Sequence, residues 1–265
     1  MADLSVTLLQ SDLQWEDTAA NLQSWDRQID AVPEGTELIV LPEMFTTGFS
    51  MRAVALAGTM EGEAVRWMKR KAREKRAALT GSLIISEQGR YFNRLLWVLP
   101  NGRIACYDKR HLFGFSDEQL HYSAGDRRLI ARLKGWKIAL TICYDLRFPV
   151  WLRQPTDPAS RYDLLVCVAN WPESRASAWN TLLRARAIEN QCYVAAVNRI
   201  GTDGHGISYV GDSCLIDPLG ETLATSHAEA AMLTGQLSRT RLEQVRRQYP
   251  FLADADGYVL KNNHK

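Results

Sequence analysis

The sequence predicts a mixed α/β fold, and three observations carry that reading. Short apolar runs of strand length alternate with longer stretches of helical periodicity. Two Pro/Gly turns, Pro100-Asn101-Gly102 and Pro218-Leu219-Gly220, interrupt the alternation with hairpin signals. The 265 residues are 46% hydrophobic and 23% charged, the balance of an ordinary globular chain, which argues against disorder.

The elements follow in order. Ser5 to Gln10 reads as a strand. Thr18 to Val32 reads as a helix, because Ala19, Leu22, Trp25, Ile29 and Val32 fall on one stripe. Pro33-Glu34-Gly35 ends it, and Glu37 to Leu41 is a buried strand. Glu61 to Lys75 is a charged amphipathic helix, and Leu79 to Ile85 a further strand. Arg94 to Leu99 and Arg103 to Tyr107 flank the first hairpin turn. Lys137 to Cys143, Asp163 to Ala169 and Cys192 to Asn198 are three apolar strands. A helix carrying Trp179, Leu182, Leu183 and Ala187 lies between the last two. Tyr209 to Asp217 and Glu221 to Thr225 flank the second hairpin turn, Ala230 to Gln236 is the last strand, and Arg239 to Gln248 the last helix. No linker, low-complexity stretch or short repeat divides the chain, so residues 1–265 read as a single domain. The segment from Tyr249 to Lys265 has no periodicity and is expected to pack on a neighbour. The glycines at 201, 204 and 206 do not open a helix after a strand, and read as a mobile loop, not a dinucleotide site.

Charge narrows the function classes. Thirty-two Lys and Arg against 30 Asp and Glu leave a net charge of +2, without the basic excess of a nucleic-acid binder. No apolar run approaches membrane-spanning length, and the first residues lack the pattern of a secretory signal. Five scattered cysteines suit a reducing cytoplasm better than a disulfide framework. Neither they nor the five histidines show metal-ligand spacing, so no metal and no cofactor is expected.

Three segments can carry chemistry. Glu43 follows a buried strand in Leu41-Pro42-Glu43-Met44-Phe45; it reads either as a desolvated carboxylate for proton transfer or as a helix-capping acid. Lys109, in Tyr107-Asp108-Lys109-Arg110-His111-Leu112-Phe113, also ends a strand; alone it reads as part of a solvated charge run. Cys143 closes the strand of Leu140-Thr141-Ile142-Cys143-Tyr144-Asp145-Leu146-Arg147-Phe148-Pro149 and precedes an expected helix. There it is either a buried core cysteine or a thiol that backbone N–H groups and a positive helix end favour as thiolate. Taken together they are far more specific. Each stands at the C-terminal end of a strand, where open α/β sheets place their sites. They supply a base, a cation and a nucleophile, the set that acyl transfer requires.

In these motifs, and across nearly the whole chain, the sequence resembles the nitrilase, or carbon–nitrogen hydrolase, superfamily. The carrying residues are Pro42-Glu43-Met44, Asp108 to Phe113 and Cys143 to Pro149. Phe113, Ala169-Asn170-Trp171-Pro172 and Arg184 to Gln191 look most like its bacterial omega-amidase branch. The resemblance implies a four-layer α-β-β-α sandwich, a homodimer, and hydrolysis through a cysteine thioester. Glu43 would be the general base, Lys109 the oxyanion stabiliser and Cys143 the nucleophile. Glu118 would be the auxiliary acid, with Asp117 as its rival. The implied substrate is a small omega-amide of a dicarboxylic 2-oxo acid, such as 2-oxoglutaramate, with ammonia released. Alternatives are an N-carbamoyl amino-acid hydrolase or a nitrilase on the same chemistry, or a binding protein that has lost catalysis. Where the family often has Glu after the motif's proline, this chain has Val150.

The remaining residues have paired readings. His111 reads first as a structural histidine, second as a base. Phe49, Trp171 and Trp179 either line a substrate pocket, beside Tyr144, or belong to the core. Arg147 either meets a substrate carboxylate or pairs with Asp145 or Glu189.

Overall fold

The alternation of side chains along a strand sets the architecture. In the computed structural model, which describes residues 2–260, the first strand is β1 (Leu4–Gln10). Its Leu4, Val6 and Leu8 enter one apolar cluster, and Leu9 enters another. Strand β2 (Leu38–Val40) divides the same way, with Leu38 and Val40 on the first side and Ile39 on the second. The second cluster is covered by α1 (Thr18–Asp30), through Leu22, Trp25 and Ile29, and by α3 (Glu63–Lys75), through Val65, Trp67 and Met68. Between β2 and α3 lies one short turn, α2 (Ala53–Leu56).

Next come β3 (Ala78–Glu87), β4 (Arg90–Val98) and β5 (Ile104–Asp108). The first sheet has the order β13-β1-β2-β3-β4-β5, closed by β13 (Ala231–Leu237) antiparallel to β1. After the one-turn α4 (Glu118–His121), the second sheet forms from β6 (Ile130–Leu133), β7 (Trp136–Ile142), β8 (Leu164–Ala169), β9 (Tyr193–Asn198), β10 (Ile200–Thr202), β11 (Ser208–Ile216) and β12 (Thr222–His227). Its order is β10-β11-β9-β8-β7-β6, with β12 paired to β11. A short α5 (Pro149–Leu152) follows β7, and α6 (Ala176–Asn190) covers the outer face with Trp179, Leu183 and Ala187. The two sheets face each other across Leu4, Val6, Leu8, Ile138, Leu140 and Val166, giving the four-layer α-β-β-α sandwich. Every residue of β8 is buried, because both faces of this parallel strand are covered. The last helix, α7 (Arg239–Gln248), holds the start of β8: Arg239 Nη1 and Arg246 Nη1 each lie 3.0 Å from Asp163.

The differences from the sequence reading have local causes. The strands expected at Leu79–Ile85 and Arg94–Leu99 are one long hairpin, turned at Gln88-Gly89, where both residues have positive φ as a two-residue turn requires. The short edge strands β6 and β10 were not expected. The helix expected after Cys143 is only a 3₁₀ turn over Cys143–Arg147 and the single turn α5, broken at Pro149. Gly201 is part of β10. The turn after it is tied down by Asp203, which accepts from the backbone N–H groups of His205 and Ile207, so the loop is hydrogen-bonded. Within residues 249–260 the tail packs on its own chain. Leu252 is buried, and the Tyr258 hydroxyl donates to the Arg153 carbonyl at 2.7 Å. The rest of the segment expected to meet a neighbour, 261–265, lies outside the described residues. Among the described residues no helix is long and apolar enough to cross a membrane.

Candidate active site

The C-terminal ends of β2, β5, β7 and β8 converge at one edge of the sandwich, and each delivers a functional group. Glu43 lies just past β2. Its segment is fixed by Ser82, whose hydroxyl accepts from Met44 N–H at 2.8 Å, and by the Asn170 amide, which donates to the Glu43 carbonyl at 2.6 Å. The Glu43 carboxylate is fully buried. Oε1 accepts from Asn93 Nδ2 at 2.7 Å and from Lys109 Nζ at 3.0 Å, and Oε2 accepts from Asn170 N–H at 2.7 Å. Lys109, directly after β5, also reaches both Glu118 oxygens, at 3.0 and 2.9 Å, and its ammonium lies 4.8 Å from the centre of the Phe49 ring. Glu118 is buried and accepts from Phe113 N–H at 2.6 Å, whereas Asp117 is exposed. The side chain brought to Lys109 is therefore Glu118.

Cys143 stands on the elbow between β7 and the 3₁₀ turn with φ +45°, a conformation disfavoured for any residue with a side chain. Its Sγ lies 3.9 Å from the Asn170 carbonyl. Burial pushes the thiol well above its ordinary value; the Glu43 charge adds to this and Lys109 opposes it. Burial and the Glu43 charge thus work against the thiolate that a helix N-terminus would favour. The turn is too short for a substantial dipole, and desolvation beside carboxylates favours the neutral thiol. Lys109 shows the opposite balance. Burial works against its charge, but Glu118 and then Glu43 outweigh it and hold the ammonium protonated. The Glu118 carboxyl is raised by burial and by Glu43, against the pull of Lys109. A neutral thiol beside a carboxylate and a fixed ammonium is set for proton transfer coupled to attack, with positive charge ready for an oxyanion.

A cavity of about 520 Å³ opens over Cys143, and Phe49, Lys109, Tyr144, Arg147 and Trp171 line it. The Arg147 guanidinium lies over the Trp171 ring, 4.8 Å from its centre. Neither acid considered as its partner is available: Glu189 pairs with Arg186 at 3.0 Å, and Asp145 accepts from Tyr107 and His111. His111 is structural, with Nδ1 2.8 Å from Asp145 and its ring stacked on Phe148. Trp179 is core: it is fully buried and its indole N–H donates to the Asp212 carbonyl. Sequence reasoning missed Asn93 and the polar part of Asn170. The available signal was an amide between the aromatic pair Tyr91-Phe92 and the apolar run Leu95-Leu96-Trp97-Val98, where an unpaired polar group would be unfavourable.

Gly125 supports the Lys109 segment. Its N–H donates to the Lys109 carbonyl at 2.9 Å, and a Cβ there would fall 2.2 Å from the Asp108 carbonyl oxygen. Gly125→Ala is therefore expected to lower the unfolding free energy by about 1–3 kcal/mol. Urea unfolding reads this, and a loss below a few tenths would show that the loop moves aside freely.

The double-sheet fold and this Glu–Lys–Cys edge define an amide-cleaving hydrolase. The model of the carbon–nitrogen hydrolase family matches residues 5–247, and the chain belongs to that family. It is 47% identical over 261 residues to the omega-amidase YafV of Escherichia coli K12, covering 98% of this chain and 100% of the relative. It is 31% identical over 253 residues to a 2-oxoglutaramate amidase of Bacillus subtilis, covering 94% and 96%. Among solved structures, a CN-hydrolase superfamily protein of Xanthomonas campestris superposes with a TM-score of 0.97 at 43% identity, over 98% of this chain and 100% of that one. That structure carries an arsenic adduct in its active site. The protein is accordingly a carbon–nitrogen hydrolase acting on amides, and the reading as a binding protein without catalysis is set aside.

Proposed function

We propose that the substrate is a small omega-amide of a dicarboxylic 2-oxo acid, 2-oxoglutaramate or a near analogue. The observation that carries this is Arg147: a guanidinium on the cavity wall beside the Cys143 elbow, with no acid partner among the described residues. A cation in that position asks for an anionic group on the substrate. The names of the relatives at 47% and 31% identity support the same class.

In the proposed mechanism Glu43 takes the thiol proton as Cys143 Sγ attacks the amide carbon. Lys109 and the Tyr144 backbone N–H hold the oxyanion. Glu43 returns the proton to the nitrogen, the C–N bond breaks and ammonia leaves. Glu43 then takes a proton from water, which attacks the thioester; the C–S bond breaks, the acid is released, and Glu43 returns that proton to the departing sulfur. Glu118 keeps Lys109 in place, and Phe49, Tyr144 and Trp171 form the walls. A carboxylate that serves as base, then acid, then base again needs the fixed partners that Asn93, Asn170 and Lys109 supply.

The test is ammonia release from 2-oxoglutaramate, its carboxylate ester, an N-carbamoyl amino acid and an aliphatic nitrile. The acid is expected to exceed the ester by about 100-fold in kcat/KM, because a half-buried guanidinium covered by a substrate without a matching carboxylate loses solvent and gains no partner. Arg147→Met is expected to bring acid and ester within about tenfold of each other. Equal rates for acid and ester in the unaltered enzyme would remove carboxylate recognition, and a preference for the carbamoyl compound or the nitrile would move the protein to another branch.

The assembly we propose is a homodimer. Ile188 on α6 is 50% exposed beside the Pro218-Leu219-Gly220 turn, where Leu219 is 37% exposed, and these form an apolar patch suited to a second copy. Sedimentation at twice the chain mass is the expected result, and Ile188→Glu should shift it to one. Five unpaired cysteines are consistent with a cytoplasmic setting.

A further inference from the structure

Asp145, two residues after Cys143, is fully buried and accepts four directed hydrogen bonds. Oδ1 accepts from His111 N–H at 2.9 Å and lies 2.8 Å from His111 Nδ1, which assigns the ring proton to that nitrogen. Oδ2 accepts from the Tyr107 hydroxyl at 2.7 Å and from Ile142 N–H at 3.2 Å. Tyr107 and His111 stand two positions before and after Lys109, and Ile142 immediately precedes Cys143. One carboxylate thus joins both flanks of the lysine, on the first sheet, to the start of the cysteine elbow, on the second.

The surroundings hold this junction rigid. Trp151 Nε1 donates to the Tyr107 hydroxyl at 3.0 Å, and the His111 ring stacks on Phe148 at 3.7 Å and 7°. Burial, and then the Asp145 charge, push the Tyr107 phenol well above its ordinary value, so it remains a donor. Much of the contact between the sheets is aliphatic, through side chains such as Leu8, Val40 and Leu140, and such packing is non-directional. Directed bonds across the sheets also occur from Asn170 to Glu43 and from Ser213 N–H to Gln10, but they hold neither flank of Lys109. The distance from the Lys109 ammonium to a carbonyl bound at Cys143 needs a tighter constraint than aliphatic packing, since a misplacement of about 1 Å can lower a rate 100-fold.

We propose that Asp145 is a positioning residue: it does not line the cavity, but it fixes Lys109 against Cys143 and so sets the oxyanion geometry. This rests on the roles given above to Lys109 and Cys143. In Asp145→Asn, the amide sets N–H groups against donors, and the backbone donors of Ile142 and His111 cannot turn to accept. The expected result is a fall of about 100-fold in kcat with KM within about threefold. Alkylation of Cys143 by iodoacetamide is expected to stay within about threefold, because sulfur displaces iodide without forming an oxyanion. A merely structural role would lower turnover and alkylation together, and that outcome, or an unchanged kcat, overturns the proposal. If Asp145→Asn does not fold, Tyr107→Phe replaces it. It removes one donor on the Lys109 side, and about a tenfold loss of kcat with unchanged alkylation is expected; parallel losses or none overturn the proposal. Absence of Cys143 alkylation in the unaltered enzyme would instead mean that the reading of the active site itself has failed.

Discussion

Cys143→Ala is expected to reduce turnover by at least about 10⁴-fold, the scale seen when a nucleophile is removed from an interdependent catalytic unit. The fold should persist. Cys143 lines the open cavity and its Sγ makes a single long contact with the Asn170 carbonyl, so alanine only widens a space that is already there. Ammonia release measures the loss, and thermal unfolding checks the fold. Residual activity of even a few per cent would reject the thioester route. Cys167, Cys192 and Cys214 are buried, and burial raises each thiol, while Cys106 lies exposed on β5. Serine or alanine at those four positions should leave rates within a small factor of the unaltered enzyme.

Glu43→Gln is expected to lower kcat by about 10³-fold, within the range that positioned proton transfer contributes. The amide is nearly the same size, but it cannot accept the thiol proton. It also presents an N–H₂ group to donors: whichever way it turns, it opposes either Asn170 N–H or the pair Asn93 Nδ2 and Lys109 Nζ. Combined with Cys143→Ala the effect should be far from multiplicative, since a base without its nucleophile has no proton to take. A double variant whose loss equals the product of the single losses would show that the two groups act independently.

The strands that matter most were legible because their signal is local. Val6, Leu8, Leu38, Val40, Leu140 and Leu164 announce buried strands by spacing alone, and the structure brings Glu43, Lys109 and Cys143, just past the ends of such strands, to one edge. The α7 bounds, Arg239–Gln248, agree with the sequence reading at both ends, since Ser238 caps the first turn and Pro250 follows shortly after the last. The segment after Cys143 was misread because Leu146, Phe148, Trp151 and Leu152 have helix-like spacing. Asp145 draws the backbone N–H of Ile142 toward itself, and Pro149 stops any continuous helix.

By itself, then, the sequence determined the mixed α/β class and the order of the main strands and helices, and it singled out Glu43, Lys109 and Cys143 as candidates. The class and the main elements depend on periodicity within short stretches of chain, whereas the three candidates stood out together, by their place at strand ends and by the resemblance to the family's motifs. Tertiary structure alone decided the protonation balance and the supporting cast. It chose Glu118 over Asp117, pushed the Cys143 thiol upward, left Arg147 without an acid and gave Asp145 to Tyr107 and His111. The reason is electrostatic and geometric. A charge's partners and its desolvation are set by groups far away in the chain, such as Lys109 and Glu43 at 66 residues' separation, or Glu43 and Asn170 at 127, and only the packing of two sheets brings them within hydrogen-bonding distance.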